Sequence, residues 1–103
     1  MWTHYRGTTF QLSGQLQDNG VAQNLTGCTL VAKVFDRLGN TVIATLNVTI
    51  LDPVNGLLMI AFPDTSAWPI GNARIDMTLT LPNNTLIASD PDYFRIGTNP
   101  IVA

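Results

Sequence analysis

Thr41-Val42-Ile43-Ala44-Thr45-Leu46-Asn47-Val48-Thr49-Ile50 decides the fold class. Val42, Ala44, Leu46, Val48 and Ile50 alternate with Thr41, Ile43, Thr45, Asn47 and Thr49, the period of a strand that turns one face to a core. Upstream, the turn Asp36-Arg37-Leu38-Gly39-Asn40 separates this strand from residues 28–35, Cys28-Thr29-Leu30-Val31-Ala32-Lys33-Val34-Phe35. That run has apolar residues on both faces and reads as a central strand. Downstream, Asp52-Pro53-Val54-Asn55-Gly56 turns the chain into Leu57-Leu58-Met59-Ile60-Ala61-Phe62, too short for a helix and suited to a buried strand.

The same beat continues to both ends. Residues 8–12 alternate, kink at Ser13-Gly14, resume at Gln15-Leu16-Gln17 and stop at the turn Asp18-Asn19-Gly20. After the loop at residues 64–71, Ala73, Ile75, Met77, Leu79 and Leu81 alternate with Arg74, Asp76, Thr78 and Thr80. Pro82-Asn83-Asn84 then turns into residues 85–88, and a last strand covers residues 93–96. About seven short strands with turn signals every 8 to 12 residues predict an all-β chain, a single immunoglobulin-like antiparallel β-sandwich. A small β-barrel is the alternative with the same periodicity. The expected organisation is an N-terminal arm at residues 1–7, the β-sandwich domain at 8–97 and a C-terminal tail at 98–103.

Composition supports this reading. The chain has 103 residues, enough for one domain with its own core. All seven acidic residues are Asp, Lys33 is the sole lysine, and there are 13 Thr and nine Asn. Thr favours strands and Asn and Asp favour turns, while the residues that suit helix surfaces are missing. Charged residues make up only 12% and mean hydropathy is +0.20. So low a charge fits either a surface made polar by Thr hydroxyls and Asn amides or one partly buried against other subunits. A net charge of -2 provides no basic footprint, which excludes nucleic acid and anionic membrane as partners. Residues 1–6 lack the basic start and apolar centre of a secretory signal, so synthesis in the cytoplasm is expected. Without secretion, the triplets starting at Asn24, Asn47 and Asn83 are not glycosylation sites.

Catalytic chemistry has little to draw on. His4 is the only histidine and lies in a terminal segment expected to be mobile, so it reads as a solvated or interface residue. Cys28 opens an apolar run and reads as a buried, inert thiol. One His and one distant Cys cannot build a zinc site. Asp18, Asp36, Asp52, Asp90 and Asp92 sit in loops, where capping of turn amides accounts for each singly and no calcium loop is spaced among them. No cofactor and no enzymatic activity are expected. The aromatic residues remain. Trp68 precedes Pro69 in a loop, either as a plug over an open end of the sandwich or as an interface residue with Trp2, His4, Tyr5, Tyr93 and Ile101. A second possibility is a carbohydrate-binding or adhesive module in which Trp68 and Tyr93 form a stacking platform.

Arg6-Gly7-Thr8-Thr9-Phe10-Gln11-Leu12, the step Leu25-Thr26-Gly27 before a strand, Asn55-Gly56, the run Thr65-Ser66-Ala67-Trp68-Pro69-Ile70-Gly71 and Pro82-Asn83-Asn84 occur in that order. This order resembles short phage and prophage virion proteins, and is similar to the immunoglobulin-like domain at the N-terminus of phage baseplate upper proteins. The resemblance implies a structural subunit of a phage particle, tail or baseplate rather than head, assembled in the bacterial cytoplasm with other virion proteins. It transfers no catalytic residues. No fibre or receptor-binding part follows the domain before Ala103, so direct host recognition is not expected. A homo-oligomer is expected, closed into a ring by repeated contacts, with the N-terminal arm packing on a neighbouring subunit.

Overall fold

The fold is taken from a computed structural model, which describes residues 2–89 and 91–98. Ten strands form: β1 (Trp2–Tyr5), β2 (Phe10–Gln15), β3 (Gln17–Asp18), β4 (Val21–Ala22), β5 (Thr29–Asp36), β6 (Val42–Asp52), β7 (Leu57–Phe62), β8 (Gly71–Thr80), β9 (Leu86–Ala88) and β10 (Asp92–Gly97). There is no helix among the described residues. The main hydrogen-bonded path runs β1-β10-β8-β5-β6-β7-β2, with β9 beside β8, while β3 and β4 form a separate hairpin.

The path folds into two layers because β6 serves both. Its first half pairs with β5, from Phe35↔Val42 to Ala32↔Leu46. Its second half pairs with β7, from Asn47↔Ala61 to Asp52↔Leu57. One layer therefore holds β1, β10, β8, β9, β5 and the start of β6; the other holds the end of β6, β7 and β2. Leu58 and Ile60 from the second layer and Ala32, Val34, Ala73, Ile75, Leu79 and Phe94 from the first are buried between them. The result is an all-β sandwich whose continuous path bends far enough to approach a small barrel. Both architectures allowed by the periodicity meet in it.

The long alternating strand forms as its sequence indicates, with one change of parity. Ala44 and Leu46 are buried. Val42, assigned to the same inward set, faces out opposite Phe35, and Ile43 packs against the core in its place. The register shifts at Val34/Phe35, inserting one extra residue in β6, and a one-residue slip flips every later side chain. A second shift lies between Ile50 and Asp52, where β6 turns towards Gly56.

Two further departures concern the first quarter of the chain. Residues 2–5, assigned to a mobile arm, form β1, pairing in parallel with β10 from Trp2↔Phe94 to Tyr5↔Gly97. Asp18-Asn19-Gly20, read only as a turn, closes the β3–β4 hairpin with positive φ at Asn19 (53°) and Gly20 (79°), the geometry of a two-residue primed turn. Between the two lie residues 6–9, which carry the chain from the edge strand of one layer to the edge strand of the other.

Candidate interaction surface

The residues singled out by sequence divide into an interior group and a surface group. Along β1, Trp2 and His4 turn inward while Thr3 and Tyr5 turn outward. The Trp2 ring stacks on Phe94 at 4.6 Å between centroids and 10° between planes, and lies 6.0 Å from Phe10. His4 meets Phe10 edge-on at 5.0 Å and Trp68 at 5.5 Å. Trp68 also packs on Phe10 and Phe62, and is only 3% exposed. It is a core plug at this end of the sandwich, not an interface residue. Its loop position placed it near the surface in sequence terms, but a ring of that size is accommodated here because β1 closes the end from the other side.

A hydroxyl fixes this closure. Thr65 is fully buried. Its Oγ1 donates to the Thr8 carbonyl at 2.7 Å and accepts the Gly7 N–H at 3.0 Å. With its single hydrogen committed, the 3.0 Å contact to His4 Nε2 requires the imidazole to be the donor. Thr9 Oγ1 adds a bond to the Pro63 carbonyl at 3.1 Å. Burial holds the His4 pKa below its ordinary 6.5, outweighing the opposing effect of the hydrogen-bonding contact at Thr8. His4 therefore supports the fold as a neutral ring.

Tyr5 (46% exposed) and Tyr93 (44%) stand on the outer face of the first layer. The stacking platform of Trp68 with Tyr93 therefore does not form, since one ring is inside and the other outside. Ile101 lies outside the described residues. On the same outer face Arg74, opposite Tyr93 in the ladder, pairs with Asp76 at 2.9 Å and sits 5.8 Å from the Phe35 ring. The two side chains are 23% and 30% exposed. Cys28 is half-buried, with Sγ 3.8 Å from the Asn24 and Thr26 carbonyls. The loop aspartates cap turns: Asp36 Oδ1 accepts the Asn40 and Thr41 N–H groups, and Asp52 accepts from Asn55. Among the described residues no three His, Cys, Asp or Glu side chains gather into a metal-binding group.

The surface that the sequence did not single out is the seam between the two layers. At its lower half Trp2 and His4 fill the gap between β1 and β2. At its upper half β2 and β9 do not pair with one another, and among the described residues no strand pairs with the outer edge of either. A groove of about 400 Å³ lies there between Leu16 and Ile87, over Met77 and Leu79. A hollow of about 110 Å³ continues it along Leu12 and Gly14, over Leu58 and Ile60. Leu12 (37% exposed) and Ile87 (42%) lean over this seam. Among the described residues both strands leave backbone groups without a partner. In the β8–β9 ladder Leu81 N–H bonds to Thr85 and Ser89 N–H to Met77, so Leu86 and Ala88 direct theirs outward. In the β2–β7 ladder the equivalent residues are Gln11, Ser13 and Gln15. The kink expected at Ser13-Gly14 does not form: β2 runs through it in one register with β7. Free edges and an apolar hollow can hold an extended protein segment or an apolar side-chain cluster from another chain. No protein-family model and no curated protein matches this chain.

Proposed function

We propose that this chain is a non-enzymatic structural subunit that works by protein–protein assembly. On the resemblance described above, its assembly is a phage or prophage particle, in the tail or baseplate rather than the head, built with other virion proteins in the bacterial cytoplasm. The observation that carries the assembly reading is the open seam: two strand edges unpaired among the described residues, beside a mixed groove that runs into an apolar hollow, on a chain with 12% charged residues. Edges of this kind are templates for pairing with another chain. The engagement of His4 with Thr65 supports a structural use of the one histidine.

The test is the solution mass by light scattering on a sizing column over a range of protein concentrations. A defined oligomer is expected. A mass of 11.2 kDa at every concentration would overturn self-assembly.

A further inference from the structure

Among the described residues no strand pairs with the outer edge of β2. We propose that two copies of this chain join through β2, antiparallel and centred on Ser13, so that the second layers of both form one continuous sheet. This rests on the assembly reading and names its surface.

The backbone geometry comes first. Residues facing each other across β2 and β7 run in one unbroken register from Phe10↔Phe62 to Gln15↔Leu57, and Leu16 N–H extends it by donating to the Gly56 carbonyl at 2.9 Å. Alternate residues of an antiparallel pair point their N–H and C=O groups at the partner strand. The even-numbered residues of β2 thus bond to β7, and Gln11, Ser13 and Gln15 present theirs to the free edge. The strand Phe10-Gln11-Leu12-Ser13-Gly14-Gln15 contains no charge and no proline, the two features that commonly protect such an edge.

The side chains match about the same centre. With Ser13 opposite Ser13 of the second copy, Gln11 faces Gln15 and Leu12 faces Gly14, each twice. Gly14 has no positive φ, and a Cβ added there would meet nothing within 4 Å. Nothing within the chain calls for glycine, which weakens a strand interior. Across the two-fold axis the missing side chain leaves room for Leu12 of the other copy, and both leucines lie on the face that overlooks the groove. A two-fold contact of this kind uses the same patch on both copies.

The full chain tests this in three forms, followed by light scattering and thermal unfolding. The unaltered chain is expected at twice 11.2 kDa. Gln11→Lys/Gln15→Lys places ammonium groups against one another at both ends of the contact, and Gln11→Glu/Gln15→Glu does the same with carboxylates. Each alone is expected as a monomer whose unfolding temperature stays within a few degrees of the parent's, because these side chains are exposed and give up only the surface bonds of Gln11 to Met59 and of Gln15 to Asn55 and Gln17. An equimolar mixture of the two is expected to recover the doubled mass. Gly14→Val, which meets open space within the chain, is expected to weaken self-association at least tenfold without loss of thermal stability. If the lysine variant or Gly14→Val keeps the mass and affinity of the unaltered chain, or if the mixture stays monomeric, β2 pairing in this register is overturned while assembly through another surface stands. If the unaltered chain is monomeric throughout, both the pairing and self-assembly fall.

Discussion

At Gly56 the chain passes from β6 to β7 with φ at +69°, and a Cβ there would lie 2.7 Å from the carbonyl oxygens of both Leu16 and Gln23. The backbone of the β3–β4 hairpin packs directly over this turn, which also receives Leu25 N–H on the Pro53 carbonyl at 2.7 Å. Strain and crowding coincide, so Gly56→Ala is expected to cost at least about 2 kcal/mol. The unfolding temperature should then fall by roughly 8–16 °C for a domain of this size, measured by circular dichroism. His4 sets a different dependence. Its pKa is lowered by burial, so the folded chain binds this proton more weakly than the unfolded chain does. Stability is complete above the ordinary value of 6.5 and declines as pH falls through it, levelling off below the lowered folded value. Unfolding temperatures compared at pH 7.5 and 5.5 should drop for the parent chain and drop less for His4→Gln. No other histidine titrates in that window. Asp64, lowered by its bonds to Ser66, acts only at far more acid pH.

Strand β1 shows how an element with weak local signals is stabilised by its surroundings. Four residues cannot form a strand alone. Their parallel ladder to β10 is anchored by Trp2 on Phe94 and by the Thr65 hydroxyl on the connection that follows. Trp2→Ala is expected to destabilise the chain by about 2–3 kcal/mol, the lower range for losing a large aromatic ring because Trp2 is only half-buried. Tyr5→Ala, on the opposite face of the same strand, should stay within about 0.5 kcal/mol. Urea unfolding of the two variants separates a strand integrated into the core from a loose arm: equal, small effects would favour the arm. The strands with regular alternation, β6 and β8, and the short apolar runs of β5 and β7 were legible in the sequence to within a few residues. Those that depend on distant partners, β1 and the β3–β4 hairpin, were not, since neither carries enough periodic positions to register.

As a whole molecule, the protein is a sandwich closed at one end by aromatic rings and left open at the other. Its few charges give a net of -2, which exerts little long-range repulsion between copies. Contacts made through backbone groups, leucines and amides respond weakly to ionic strength. The dissociation constant of the assembled chain should therefore move by no more than about tenfold between 0.05 and 0.5 M sodium chloride, followed by analytical ultracentrifugation. A steeper loss of association with salt would place charged groups at the centre of the contact.

The amino-acid sequence by itself determined that this is an all-β chain, where most of its turns lie and that Ala44 and Leu46 of β6 and Ala73, Ile75 and Leu79 of β8 face the core, because alternation and turn chemistry are local. Only the tertiary structure decided that Trp68 is interior, that Trp2 and His4 seal the core and that Val42 faces out. It alone showed that β2 and β9 remain unpaired beside a groove. These outcomes depend on which distant strands meet, on a single inserted residue in a ladder and on how far a bent sheet closes. None of those has a local signature, and the surface on which the assembly proposal rests is set by them.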